Sequence, residues 1–160
     1  MVLATGLSTA QRVIAVGASN LTRLLPALVR LASSQCPTEH LVAAGHGRSF
    51  CGWSRVLGRA LPGIDACGIW DALDARPVVP RTIAVLMDIG NDLLYGVAVE
   101  RIIERVDAVL ARLAARAERL VVVGLPGDGR QRIGRGRYAF LRFVLVPGAP
   151  RSQADVLRDA

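Results

Sequence analysis

Four short apolar runs constrain what this chain can fold into: Val13–Val16, Leu41–Ala44, Ile83–Met87 and Leu120–Val123. They are rich in Val, Ile, Leu and Ala with no polar alternation, the pattern of strands covered on both faces. Glycine follows directly at Gly17, Gly45 and Gly124, and the third run leads into Asp88-Ile89-Gly90-Asn91-Asp92. After the first, Leu21 to Ala32 carries Leu21, Leu24, Leu25, Leu28 and Leu31 at helical spacing. After the third, about Val97 to Ala117 carries Val99, Ile102, Ile103, Val106, Val109, Leu110 and Leu113 in one stripe. Strand and helix in alternation predict an α/β fold, a short parallel sheet with helices on both faces. The expected order puts the second strand at one edge, then the first, third and fourth. A length of 160 residues, without repeat or linker, predicts a single domain over 1–160.

The remaining segments are less regular. Pro26 suggests that the first helix starts late, near Leu24 or Leu25, so that the proline falls in its first turn. Trp53 to Leu61 reads as a short helix closed by Pro62-Gly63. Asp65 to Trp70 fits either a strand or packed coil, and Asp71 to Ala75 one helical turn. Gly127 to Arg137 reads as a basic loop, Tyr138 to Val146 is apolar and of undecided type, and Ser152 to Arg158 starts a helix.

Composition excludes several function classes. The net charge of +7 comes entirely from Arg, with no Lys. These arginines are spread along the chain rather than gathered in a tract, so no nucleic-acid partner is expected. Cys36, Cys51 and Cys67 fit no metal or redox spacing, so no metal and no cofactor is expected, and the thiols suit a reducing compartment. Met1 to Gln11 lacks the features of a secretory signal, and no apolar run approaches the ~18 residues of a membrane span. A cytoplasmic protein with a small-molecule partner is the expectation; the sequence does not indicate an oligomeric state.

Three strand ends carry candidate chemistry: Gly17-Ala18-Ser19-Asn20, Gly47-Arg48-Ser49 and Gly90-Asn91-Asp92. Carboxyl ends of parallel strands share one edge of the sheet, so the three loops can meet there. They offer a hydroxyl, a glycine N–H and a side-chain amide. Acyl transfer needs a nucleophile and neutral donors for the charge that develops on a carbonyl oxygen. Simpler readings stand beside this one. Ser19 caps the first helix, Asn91 and Asp92 cap the helix after the third strand, and the glycines only make turns. Trp53 and Trp70 read as core or pocket wall, and His40 as a surface or strand-edge residue.

These blocks resemble the SGNH hydrolases, the GDSL-type esterase and lipase family, from Val13 to about Pro126. The resemblance implies a flavodoxin-like three-layer α/β/α fold and a serine hydrolase acting on esters. It makes Ser19 the nucleophile. The N–H groups of Ser19 and Gly47 and the amide of Asn91 would form the oxyanion hole. Three departures accompany it. Ala18 stands where the family has Asp, and Ile89 where its third block has its first Gly. The closing Asp-x-x-His is replaced by Asp155-Val156-Leu157-Arg158, and Arg stays protonated. The only histidines, His40 and His46, precede Asn91. The closing segment with its last strand is therefore expected to be absent, leaving the site catalytically incomplete. A non-catalytic module that binds a small acyl or anionic ligand is the alternative. A phosphate or nucleotide binder is a third reading, without a Walker or Gly-x-Gly-x-x-Gly pattern to carry it. His46, beside Gly47, is a candidate substitute base, and Arg48 a candidate guard favouring acidic substrates.

Overall fold

The structure, a computed structural model, describes residues 10–56 and 58–124. Its elements are β1 (Gln11–Val16), α1 (Ser19–Ser33), β2 (Thr38–Ala43), β3 (Ser54–Val56) and β4 (Arg59–Leu61). A 3-10 turn (Ile64–Ala66), α2 (Ile69–Asp74), β5 (Thr82–Leu86), α3 (Asn91–Leu94), α4 (Val99–Ala114) and β6 (Arg119–Val122) follow. The segments 127–137, 138–146 and 152–158 read above lie outside the described residues.

The four apolar runs form one sheet in the order β2-β1-β5-β6, the expected order, and every pairing is parallel. Register aligns Ile14 with Leu41 and Ala84, and Val16 with Ala43 and Leu86. Those six side chains share one face, packed with Ile69, Trp70 and Leu73 of α2 and Ile102, Val106, Val109 and Leu113 of α4. Ala15, Val85 and Met87 face the other way, against Leu21 and Leu28 of α1. The period-2 pleat thus sends alternate residues into two helix layers, an α/β/α arrangement. Among the described residues β6 pairs only with β5, and Leu120, Val121 and Val122 are exposed.

The α4 stripe behaves as its spacing predicts except at Ile103, which is 55% exposed. Arg116 pairs with Asp74, and the Arg112 guanidinium lies 3.9 Å over the buried Trp70 ring. These contacts tie α4 to α2 through a charged rim around an apolar centre.

Two local expectations are corrected. α1 begins at Ser19, not near Leu24, so Pro26 lies inside it. Pro26 is exposed, so the missing backbone donor falls on the wet side of the helix. Trp53 to Leu61 is no helix. Ser54–Val56 and Arg59–Leu61 pair antiparallel, with Val56 opposite Arg59. Gly58, at φ 76°, sits in the two-residue connection, where hairpin turns need positive φ. Ser54 and Val56 are buried while Arg55 is exposed, the alternation of a strand. The ambiguous stretch after Pro62 resolves into the 3-10 turn and α2, with Trp70 Nε1 donating to Ile64 O at 2.7 Å.

Candidate active site

The carboxyl edge of the sheet is built around the loop that leaves β5. Asp88 holds the amino end of α1. Its Oδ2 accepts the N–H groups of Ala18 at 2.8 Å, Asn20 at 3.1 Å and Leu21 at 3.0 Å, and its Oδ1 accepts Asn20 Nδ2 at 2.6 Å. This corrects the reading of Ser19 as a cap: α1 is capped by a carboxylate from the loop after β5, and the N-cap position is Ala18. Asp88 is the one non-glycine residue with positive φ (69°) among the described residues, a conformation Asp tolerates better than most.

The same loop fastens the segment after β2. Asn91 Nδ2 donates to Arg48 O at 3.2 Å. Asp92 is fully buried, not a helix cap. Its carboxylate accepts Ser49 Oγ at 2.5 Å, Phe50 N at 2.9 Å and Cys51 N at 3.3 Å. Ser49 Oγ in turn accepts the N–H groups of Cys51 and Gly52. Tyr95, at the end of α3, donates its hydroxyl to Gly47 O at 2.5 Å. Burial, and next the nearby Asp92 charge, push the Tyr95 hydroxyl up to about 12, so it stays a donor. Gly47 has φ 67°, and a Cβ there would meet Val56 Cγ2 at 2.3 Å. The position is restricted to glycine on both counts.

Residues 88–95 therefore bind the Ser19 turn on one side and the Gly47 loop on the other. Within these loops some donors remain unspent. Asp88 takes the N–H groups on either side of Ser19 but not that of Ser19 itself. Among the described residues, neither Ser19 N–H, Ser19 Oγ nor Gly47 N–H has a protein partner, and Asn91 Nδ2 uses one of its two hydrogens. Ser19, Gly47 and Asn91 are all partly exposed.

Other candidates are elsewhere. His46 is exposed and hydrogen-bonds to nothing among the described residues. His40 Nε2 lies 3.1 Å from Ser33 Oγ, at the far end of α1. Arg48 is buried, its Nε on Pro62 O at 3.1 Å, so it holds the loop and does not guard an opening. Trp53, expected as core or pocket wall, is 75% exposed and lines a cavity. Cys51 is a poor nucleophile: burial and then Asp92 push its thiol up to about 12. The three cysteines form no disulfide, and no cluster of metal-ligating side chains occurs among the described residues. No described helix is long and apolar enough to cross a membrane.

Sequence reasoning missed Asp88 and gave Asp92 the wrong duty. The only local sign was a pair of acids bracketing Ile89-Gly90-Asn91 at a strand end. No family model, characterised protein or solved structure matches this chain.

Proposed function

We propose that the carboxyl edge is a serine hydrolase site of the ester-cleaving SGNH type, acting by acyl transfer to water. Ser19 Oγ is the nucleophile, and Ser19 N–H, Gly47 N–H and Asn91 Nδ2 receive the oxyanion. One observation carries this reading: among the described residues Ser19 N–H, Ser19 Oγ and Gly47 N–H have no protein partner and Asn91 Nδ2 keeps one hydrogen, while Ala18, Asn20 and Tyr95 around them are hydrogen-bonded. Preorganised neutral donors at a strand edge are what a tetrahedral oxyanion requires.

No histidine hydrogen-bonds to Ser19 among the described residues, and none follows His46 in the sequence. A serine hydroxyl without a base attacks slowly at neutral pH. As it stands, this chain is expected to hold an acyl ligand while turning esters over poorly. That makes the second reading, a binding module for a small acyl or anionic ligand, the natural limit of the first.

The test uses the 160-residue chain with short-chain aryl esters and, separately, an alkyl boronic acid. A boronic acid adds to an accessible serine and presents a tetrahedral anion to the donors. Expected are little ester turnover and a boronate adduct lost in Ser19→Ala and weakened about tenfold or more in Asn91→Ala. An adduct indifferent to both substitutions overturns the site. Ester turnover abolished by His46→Ala as well as by Ser19→Ala overturns the missing base and makes His46 the proton acceptor.

A further inference from the structure

Between the segment after the Gly47 loop and the start of α4 lies a cavity of about 470 Å³, within the range of small-molecule sites. Ser49, Trp53, Tyr95, Val97, Ala98 and Arg101 are among the residues that line it. Its polar side chains are mostly committed inward. The Ser49 hydroxyl is on Asp92 and the Tyr95 hydroxyl on Gly47 O. The Cys51 thiol, also in the wall, is neutral and directed to Arg101 O.

Arg101 differs. Its guanidinium has no acceptor among the described residues, whereas Arg105, one turn on, pairs with Asp65 at 3.6 Å. Among the described residues no acidic side chain lines the cavity. Trp53 is the other unsatisfied group. It exposes three quarters of its surface beside this space, while Trp70 is buried and hydrogen-bonded. A large exposed indole beside a recess is a common anchor for an apolar or planar body.

We propose that this cavity binds a small monocarboxylate with an aromatic or acyl body, the carboxylate on Arg101 and the body against Trp53, Val97 and Ala98. The guanidinium fork matches a carboxylate in two parallel hydrogen bonds. A polyhydroxylated sugar would find few free polar partners, because Ser49 and Tyr95 are already engaged. A phosphate dianion would meet one cation and an apolar wall. The site requires neither Ser19 nor Asn91, so it stands apart from the ester-cleaving reading.

The probe is 3-phenylpropanoate, titrated into the native chain while tryptophan fluorescence and heat are followed, with its neutral amide as comparison. Expected is saturable binding with a Kd of about 0.1–1 mM, weakened about tenfold or more in the amide. Arg101→Ala reproduces that weakening, Trp53→Ala removes the fluorescence change, and Arg23→Ala on α1 alters neither. Acid and amide binding alike, Arg101→Ala binding like the native chain, or no saturation below about 10 mM overturns the proposal. Should Arg101→Ala fail to fold, the amide comparison on the native chain decides alone.

Discussion

Replacing Asp92 tests how the Gly47 loop is held. The carboxylate is fully buried and accepts one hydroxyl and two backbone N–H groups. Cys51 N–H keeps a second acceptor in Ser49 Oγ, but Phe50 N–H has no other. In Asp92→Ala the Phe50 donor is left buried and unpaired, and the Ser49 hydroxyl loses its charged partner. Hydrogen bonds to charged groups contribute ~1.5–3 kcal/mol each, and an orphaned buried donor costs ~1–3 kcal/mol. Part of this is offset because the variant no longer desolvates a carboxylate. The expected net loss is about 2–4 kcal/mol, a large share of the stability of a domain this size. Asp92→Asn keeps one acceptor oxygen and turns an NH2 toward a donor, so it falls between Ala and the native chain. The assay is urea unfolding followed by circular dichroism. With a slope of ~2 kcal/mol per molar, the middle of the usual range, the Ala midpoint falls by about 1–2 M. Asp107→Ala, exposed on α4, serves as control and shifts stability by less than about 0.5 kcal/mol. If Asp92→Ala behaves like Asp107→Ala, the carboxylate does not hold the loop.

Three further outcomes are expected. Gly47→Ala forces a Cβ to within 2.3 Å of Val56 Cγ2 at φ 67° and costs about 1–3 kcal/mol, read as a fall in Tm; an unchanged Tm counts against the strain. Asp88→Ala removes the acceptor of three N–H groups at the start of α1 and costs about 1–2 kcal/mol, with faster hydrogen exchange at Asn20 and Leu21. Exchange unaltered at those amides would refute the cap. Partial burial raises the Glu39 pKa, but hydrogen bonds from Arg12 and Arg76 outweigh it and hold the carboxyl below its ordinary value of 4.5. A depressed folded pKa adds stability above pH 4.5 that is lost as pH falls through the lower value. Glu39→Gln therefore melts lower at neutral pH and declines less steeply in acid, which melts from about pH 7 to about pH 3 will show.

What was legible in the sequence was whatever neighbouring residues decide together. The strands at Val13–Val16 and Ile83–Met87 announce themselves as unbroken apolar runs, and their glycine-rich exits mark the carboxyl edge where the candidate residues lie. The α4 stripe is equally local, because residues three and four apart share a face. The hairpin at Ser54–Leu61 was misread because two three-residue strands offer too little alternation to outweigh a mixed polar and apolar run. Of the two readings of Trp53, core and pocket wall, its exposure excludes the core and its place beside the cavity fits the wall, a choice that nothing near it in the sequence decides. The duties of Asp88 and Asp92 were illegible for a different reason. Their partners lie 67 to 70 and 41 to 43 residues away, so only the completed sheet brings them together.

The cap on α1 also carries a schedule. During synthesis β1, α1 and β2 leave the ribosome before the β5 loop that completes the amino end of α1. Asp88 is made 67 residues after Leu21. At ~5–20 residues per second, that helix waits about 3–13 s for its acceptor. In that interval its first turn is held only by its own backbone and by Thr22 Oγ1 on Ala18 O. The nascent chain then passes through a stage in which two strands can pair while the Ser19 turn is still unset. The arrival of Asp88 tightens that turn, and Asn91 and Asp92, three and four residues behind, close the second loop.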